Sequence, residues 1–296
     1  MTYIPVVQTL VGKKQLNFYL SCIGSLIEKC EEKVSIHFHT DGSLSAKEED
    51  FVYSHYPRNE IFISDFNSST ADTLDALSGR PNCQNFRRHS IWGIEFFDPL
   101  FAYPAKKISF YVDADILFTQ PFSGLFNLDQ VKGTAVFLKD IQWDAYCLRP
   151  WDFWSLNKKP EVVKGITTGL VFWDKTAIDW DYLEWFLGAH HLHHIPEWIM
   201  PTAQAGLANR CDAKSICPRQ IPNLYPNAQI FDETFGVHLL GSYRQEWLKR
   251  LETEMNTHKG GCQPIFANFR PCKKQSSFCY ALKQLKRWKN TRLDLW

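Results

Sequence analysis

Two aspartates, Asp113 and Asp115, sit inside the apolar run KISFYVDADILFT, Lys107 to Thr119. Alternate side chains of a strand point the same way, so the two carboxylates share a face, and small Ala114 leaves room beside the backbone. Carboxylates that close repel one another unless a cation lies between them. Magnesium or manganese fits, because such ions bind through one or two carboxylates and keep their other positions for water and phosphate oxygens. The plainer reading is that aspartates end strands because they favour turns. The flanks weigh against it. Ile108, Phe110 and Val112 before the pair, and Ile116 to Phe118 after it, imply a buried sheet, where carboxylates are rarely placed without partners.

The elements that must hold this pair can be traced on both sides. Tyr3 to Leu10 predicts a strand, Leu16 to Lys29 an amphipathic helix, Lys33 to Thr40 an alternating strand, and Ala46 to Tyr53 a helix behind the turn Asp41-Gly42-Ser43. Glu60 to Phe66 is the next strand, and a helical stretch from about Arg88 to Phe101 leads into the aspartate strand. Repeated β-α-β units with a functional pair at a strand end predict an α/β fold with a doubly wound, mainly parallel sheet. Ligands in such sheets sit at the carboxyl ends of the strands, where Asp113 and Asp115 fall. The second half is less regular. It predicts strands at Gly133 to Leu138 and Ile166 to Trp173, helices at Trp180 to Leu187 and Pro201 to Asn209, and a Pro-, Asn- and Tyr-rich loop at Ile221 to Ala228. Helical patterns return at Ser242 to Glu254 and Phe278 to Trp288. With no internal repeat, low-complexity tract or linker, one domain over residues 1–296 is the simplest account, divided near residue 130 into a regular half and an irregular C-terminal half.

Composition narrows the function classes. The 33 basic and 32 acidic residues leave a net charge of +1, without the basic excess of a nucleic-acid binder. Aromatic residues make up 15%, with 11 tryptophans, which suits a sugar-handling groove, although most such rings belong to the core. The N-terminus has no basic stretch followed by a long apolar one, and no window reaches the roughly 18 apolar residues of a membrane span. A cytoplasmic protein is the expectation. Nine cysteines at irregular spacing agree with reduced thiols. Cys211 and Cys217, without a second pair nearby, are a weak zinc signal, and His190, His191, His193 and His194 read as solvated surface or acceptor-groove lining rather than a metal site.

The β-α-β start, YVDADILF and the later HLLGSYRQEW together resemble the GT-A nucleotide-sugar glycosyltransferases, most closely family 8. That family carries a YLDxDxLV-like strand, a strand of the form NxGxxLxN, a Gln-bearing helix, and a late His-x-x-Gly-x-x-Lys segment ending in Trp. Here these read Tyr111 to Phe118, TTGLVFWD from Thr167 to Asp174, Ala203-Gln204-Ala205, and His238, Gly241 and Arg244 with Trp247. Their order covers most of the chain. Departures accompany the match. Thr167 and Thr168 stand where the family has Asn near its Gly, the Gln segment lacks its acidic neighbour, Arg244 replaces Lys, and one residue is added before Trp247.

The resemblance implies a GT-A fold and transfer of a hexose from a nucleotide sugar, UDP-linked, with retention, to a glycan, lipid-linked or protein acceptor. Mn2+ or Mg2+ held by Asp113, Asp115 and His238 would stabilise charge on the leaving diphosphate, with Arg244 adding a cation that can grip phosphate bidentately. Gln204 matches the glutamine on the sugar's β-face near C1. Gly169 and Gly241 would let the backbone approach sugar and diphosphate, or simply form turns. Ala114 would line the site between the aspartates. Leu10, Val11 and Gly12 would take the nucleobase and Asp41 the ribose or base. Arg88, in the triplet Arg87-Arg88-His89, would reach the nucleotide sugar from the side. The basic, aromatic C-terminus KQLKRWKNTRLDLW would either rest on the inner face of an anionic membrane or pack as an ordinary terminal helix.

Other readings stay open on the sequence. Inversion would need a carboxylate base, for which Asp140, Asp144 and Glu197 are available. A haloacid dehalogenase-type phosphohydrolase also ends a strand in Asp-x-Asp, but on its first strand and usually with Thr or Val where this chain has Leu117. A non-catalytic nucleotide- or glycan-binding relative is the third class, against which the intact Asp113, Asp115 and His238 speak.

Overall fold

The computed structural model describes residues 3–56, 61–140, 144–154, 160–255 and 263–293. The chain begins β1 (Val6–Val11), α1 (Leu16–Lys29), β2 (Ser35–Thr40), α2 (Ala46–His55), β3 (Ile61–Ile63), α3 (Phe66–Ala76), α4 (Pro81–His89), α5 (Ile91–Phe101) and β4 (Ile108–Val112). It continues through β5 (Ile116–Phe118), β6 (Phe122–Ser123), α6 (Leu128–Val131), β7 (Ala135–Lys139), β8 (Ile166–Asp174), α7 (Trp180–Gly188), α8 (Ile199–Ala208) and β9 (Lys214–Ile216). β10 (Gly236–His238), α9 (Arg244–Met255), β11 (Ile265–Phe266), β12 (Phe269–Pro271) and α10 (Ser277–Leu293) complete it.

Eight strands form one sheet in the order β12-β9-β7-β8-β4-β1-β2-β3. Pairing is parallel from β3 through β2 and β1 to β4, antiparallel on both sides of β8, parallel again between β7 and β9, and antiparallel at β12. Six strands therefore run one way, with β8 and β12 opposed. The sheet is buried on both faces, as its near-continuous apolar strands require. In β4, Phe110 and Val112 face the cluster under α1 with Val7, Phe38 and Phe172, while Tyr111 faces the opposite cluster with Val171, Trp173 and the helices α5 and α7. Alternation along one strand thus serves two cores.

Local signals set several boundaries. α2 opens with a capping box between Ser45 and Glu48, and Asp65 and Asp179 cap α3 and α7 by accepting from Ser68 N at 2.8 Å and Tyr182 N at 2.9 Å. One expectation changes. The helical stretch from Arg88 to Phe101 is the end of α4 plus all of α5, broken where Ser90 turns extended at φ −137°. The polar segment FNSSTADTLDA, which carries no sequence-predicted element beyond Phe66, forms α3 behind its Asp65 cap.

The aspartate run also divides. β4 stays in the main sheet, while β5 leaves it to pair antiparallel with β10. Asp113, Ala114 and Asp115 form the turn between them, closed by Ile116 N donating to Asp113 O at 3.2 Å. The turn, rather than strand alternation, brings the carboxylates together. A third apolar cluster docks the late elements on α1, with Trp247 of α9 against Cys22, Val237 and Leu239, its Nε1 donating to Tyr225 O at 3.1 Å.

No described helix is long and apolar enough to cross a membrane. The eight described cysteines, Cys211 and Cys217 among them, are unpaired; Cys262 lies outside the described residues.

Candidate active site

Because β1, β2 and β4 run parallel, the residues that follow them, Gly12, Asp41 and Asp113, meet at one edge of the sheet. With Leu10, Val11, Ala114 and Asp115 they wall a cavity of about 210 Å3, completed by Lys14, Tyr19, Ile91, Glu95 and Tyr111. A Cβ on Gly12 would stand 2.4 Å from Asp41 Oδ2, so glycine is what allows the Asp41 carboxylate to lie against the end of β1. That carboxylate accepts from Ser43 N at 3.0 Å and Ser43 Oγ at 2.5 Å.

β8, antiparallel to β4, starts at the same edge, and Asp113 N donates to Gly169 O at 2.8 Å. The β5–β10 ribbon carries His238 over the aspartates through the register Ile116 opposite His238 and the bond from Leu239 N to Asp115 O at 3.0 Å. Asp113, Asp115 and His238 offer ligand atoms all within 4.8 Å of one another, the one such group of three found among the described residues. His238 Nε2 lies 3.0 Å from Asp115 Oδ1 and 3.9 Å from Asp113 Oδ2. Nδ1 pairs with Asn223 Oδ1 at 2.8 Å. An amide oxygen only accepts, so Nδ1 donates and Nε2 turns toward the aspartates, the second-sphere arrangement that orients a metal-ligating imidazole. A Cβ on Gly169 would lie 2.7 Å from His238 Cε1, so the ring needs glycine on β8.

Arg244, expected at the diphosphate, opens α9 with its guanidinium on Asp115. Nη2 is 2.6 Å from Asp115 Oδ2, Nε donates to Leu239 O at 3.3 Å, Nη1 donates to Gln15 Oε1, and the group lies 4.4 Å over the Phe18 ring. Gln15 is itself left-handed at φ 68°, a conformation costing a side-chain-bearing residue about 1–3 kcal/mol.

The charges are unevenly shared. Asp113, with 32% of its side chain open to the cavity, is pushed up to about 7 by burial of its carboxylate and then by the Asp115 charge. Burial alone would also raise Asp115, but His238 and Arg244 outweigh it and hold this carboxyl below its ordinary range. Burial opposes charge on His238, and Asp115 followed by Asp113 overcomes that, raising it. Glu95 is held well above the carboxylate range, first by burial and then by Asp113. One neighbouring carboxyl is fully supplied with positive partners and the other is short of them, which is where a divalent cation fits.

Of the residues singled out in sequence, Leu10, Val11, Gly12, Asp41, Asp113, Ala114 and Asp115 share the cavity, with His238, Gly169 and Arg244 at its aspartate end. Others lie elsewhere. Gln204 is buried in α8 with Nε2 3.1 Å from Met200 Sδ and Oε1 without a partner, and it does not line this cavity. Arg88 is exposed at the end of α4, and nothing comes within 4 Å of where a Gly241 Cβ would be. Asp140 accepts from Tyr225 OH at 2.6 Å, Asp144 pairs with Lys283 at 2.9 Å, and Glu197 is exposed. The four-histidine segment is split between partners: His193 Nε2 meets Phe186 O at 2.9 Å and His194 meets Asp152 at 3.5 Å.

Sequence reasoning missed Glu95, Asn223, Gln15 and Tyr19. Glu95 carried a readable signal, since it and Asp98 are the only charged residues in the apolar helix IWGIEFFDPLF. Asn223 carried a fainter one, in a loop noted for its Pro, Asn and Tyr. Its pairing with His238 is a contact across 15 residues.

No protein-family model matches this sequence, and no curated protein matches it significantly. Solved structures do. Mouse xyloside xylosyltransferase 1, in its apo form, superposes with a TM-score of 0.52 at 8% identity, covering 79% of this chain and 97% of that one. An active-site mutant of LgtC gives 0.53 at 12% identity over 85% of this chain and 95% of that one. The chain has the GT-A glycosyltransferase fold. The galactosyltransferase LgtC in complex with donor and acceptor sugar analogs gives 0.52 at 11% identity over 87% of this chain and 98% of that one. At such identities the likeness is one of fold. In this GT-A chain the Asp-x-Asp follows β4, the fourth strand, so the phosphohydrolase reading, with its motif on the first strand, is not favoured.

Proposed function

We propose that this protein is a glycosyltransferase that takes a sugar from a nucleotide-sugar donor with a divalent cation held by Asp113, Asp115 and His238. The observation that carries the reading is this group, with ligand atoms within 4.8 Å of one another at the carboxyl edge of a GT-A sheet. Two carboxylates and an imidazole suit Mn2+ or Mg2+. When bound, the ion supplies a Lewis acid for the charge that develops on the departing diphosphate.

The chain's own residues prepare that step. Arg244 fixes Asp115 at one oxygen, leaving the other toward His238, and Asn223 fixes the imidazole. Asp113 must give up its proton to bind a cation, so its elevation makes binding favour neutral over acidic pH. Gly12 and Asp41 line the same cavity, and their assignment to the nucleoside rests on the sequence resemblance. A UDP-linked hexose, retention with Gln204 on the sugar's β-face, and membership of family 8 rest on the sequence resemblance. The acceptor, a glycan, lipid-linked or protein hydroxyl, approaches from the C-terminal half. Peripheral membrane contact rests on the basic, aromatic character of the C-terminal sequence alone.

Nucleotide-sugar turnover with and without Mn2+ tests the reading. Release of nucleoside diphosphate from one of UDP-glucose, UDP-galactose, UDP-xylose or GDP-mannose, lost on chelation, is the expected result. Metal-independent turnover would remove the cation from the mechanism, and no binding of any donor would remove the function.

A further inference from the structure

Glu95 lies in the middle of α5, one turn beyond Ile91, and both residues wall the cavity that holds Asp113 and Asp115. Thr168 gives the Glu95 carboxyl group one side-chain hydrogen bond, while Oε1 is buried without a hydrogen-bond partner. The same helix shows what a structural acid looks like here: Asp98, three residues on, accepts from Arg87, Ser69 and Thr73. Buried carboxyl oxygens are normally satisfied, and one that is not points to a group the protein itself does not supply.

Asp115 Oδ1 is the other carboxylate oxygen of the cavity that is buried without a hydrogen bond, and it faces His238. Asp41 closes its own turn on Ser43, the Tyr111 hydroxyl faces Asp113 Oδ1 at 3.5 Å, and Asp115 is held by Arg244 and His238. Glu95 is not a member of the three-residue group whose ligand atoms converge, so it stands apart from the cation position while facing the same space. A diphosphate gripped at Asp113 and Asp115 leaves the sugar attached to it as the part of the donor nearest that space. A sugar ring offers vicinal hydroxyl donors, and a carboxyl group can accept from two of them through short, charge-assisted bonds.

We propose that Glu95 is a specificity-determining residue that holds hydroxyl groups of the donor sugar. The assignment rests on the nucleotide-sugar reading above and adds to it a residue for the sugar itself.

The test compares each nucleotide sugar with a probe that has the same charge and no sugar. Mn2+-loaded protein is titrated calorimetrically with UDP-glucose, UDP-galactose, UDP-xylose and GDP-mannose, each matched to methyl-UDP or methyl-GDP, using the parent, Glu95→Gln and Glu95→Ala. The parent should bind one sugar nucleotide more tightly than its methyl ester. Glu95→Gln and Glu95→Ala should each cut that preference tenfold or more while leaving affinity for the methyl ester within threefold. An equal loss for both ligands would give Glu95 to the nucleoside or to the fold and overturn the proposal, as would an unchanged preference in both variants or no preference in the parent. If the parent binds none of these probes, the nucleotide-sugar reading fails first, and the failure is visible before any variant is compared.

Discussion

Two charge clusters share α5, one through Asp98 and one through Glu95 a turn away, and they are built on opposite plans. In the first, Arg87 meets Asp98 through Nε to Oδ1 at 2.5 Å and Nη2 to Oδ2 at 2.8 Å, while Ser69 and Thr73 also donate to the carboxylate and Thr70 accepts a further bond from Nη2 at 2.9 Å. Both side chains are 2% exposed. In the second, Asp113, Asp115 and Glu95 wall a cavity with His238 and Arg244 at its aspartate end, and Asp113 is raised to about 7 by burial and then by the Asp115 charge. A closed network locks helices together, whereas an open one of like charges raises the energy of the empty site and lowers it when a cation arrives. Satisfaction of hydrogen bonds, more than burial or charge, separates the closed cluster from the open one.

The sharpest test of that contrast removes one acid from the open cluster. Asp113→Asn and Asp115→Asn should each lower Mn2+-dependent turnover by about a thousandfold. Asp113→Asn should also leave the metal-free thermal midpoint unchanged or higher, since it deletes repulsion. Turnover within tenfold of the parent, measured by product formation at limiting Mn2+, would break the assignment of the open cluster.

The closed cluster should respond in the other currency, stability. Arg87→Ala, which strands a buried Asp98, should cost about 3–5 kcal/mol in urea titration. Replacing both partners by Met and Leu should recover much of that loss, and folded Arg87→Ala protein should keep the parent's Mn2+ affinity. A stability change under about 1 kcal/mol would mean that the pair is not the lock its geometry describes.

Smaller effects are expected one shell out. Asn223→Ala frees the imidazole and should weaken Mn2+ binding by about 10–100-fold, with Gly169→Ala moving in the same direction because its methyl meets the ring. Unaltered affinity in both would sharpen the site to the two aspartates alone.

The smallest effect is in pH. Asp113 is raised above its unfolded value, so its contribution to metal-free stability is full below about pH 4 and is lost as pH climbs through about 7. His238, also raised, adds in the same sense. Metal-free protein should therefore melt at a lower temperature at pH 8 than at pH 5.5. Mn2+ affinity should run the opposite way, rising about tenfold over the interval as the proton on Asp113 is displaced. Asp113→Asn should flatten the melting trend; an unchanged slope would locate the titration elsewhere.

The sequence by itself determined the regular half. The limits of α1 and the order of β1, β2, β3 and β4 follow from apolar periodicity, because local propensity and burial pattern agree along those segments. It also singled out the two aspartates that meet His238, since two acids inside an apolar run have few structural uses. Only the tertiary structure decided how they are used. The division of KISFYVDADILFT into strands of two sheets depends on β10, which lies 118 residues after β5 in the register Gly236 opposite Phe118. His238, Asn223 and Arg244 reach Asp115 through contacts that no local pattern encodes, and Arg244 turned out to be engaged with that carboxylate. Gln204 shows the converse: a residue type recognised by motif, whose helix packs it against Met200. Periodicity reports which way a side chain faces within its own element. Which other element it meets is settled by packing between segments far apart in sequence, and an active site is made of such meetings.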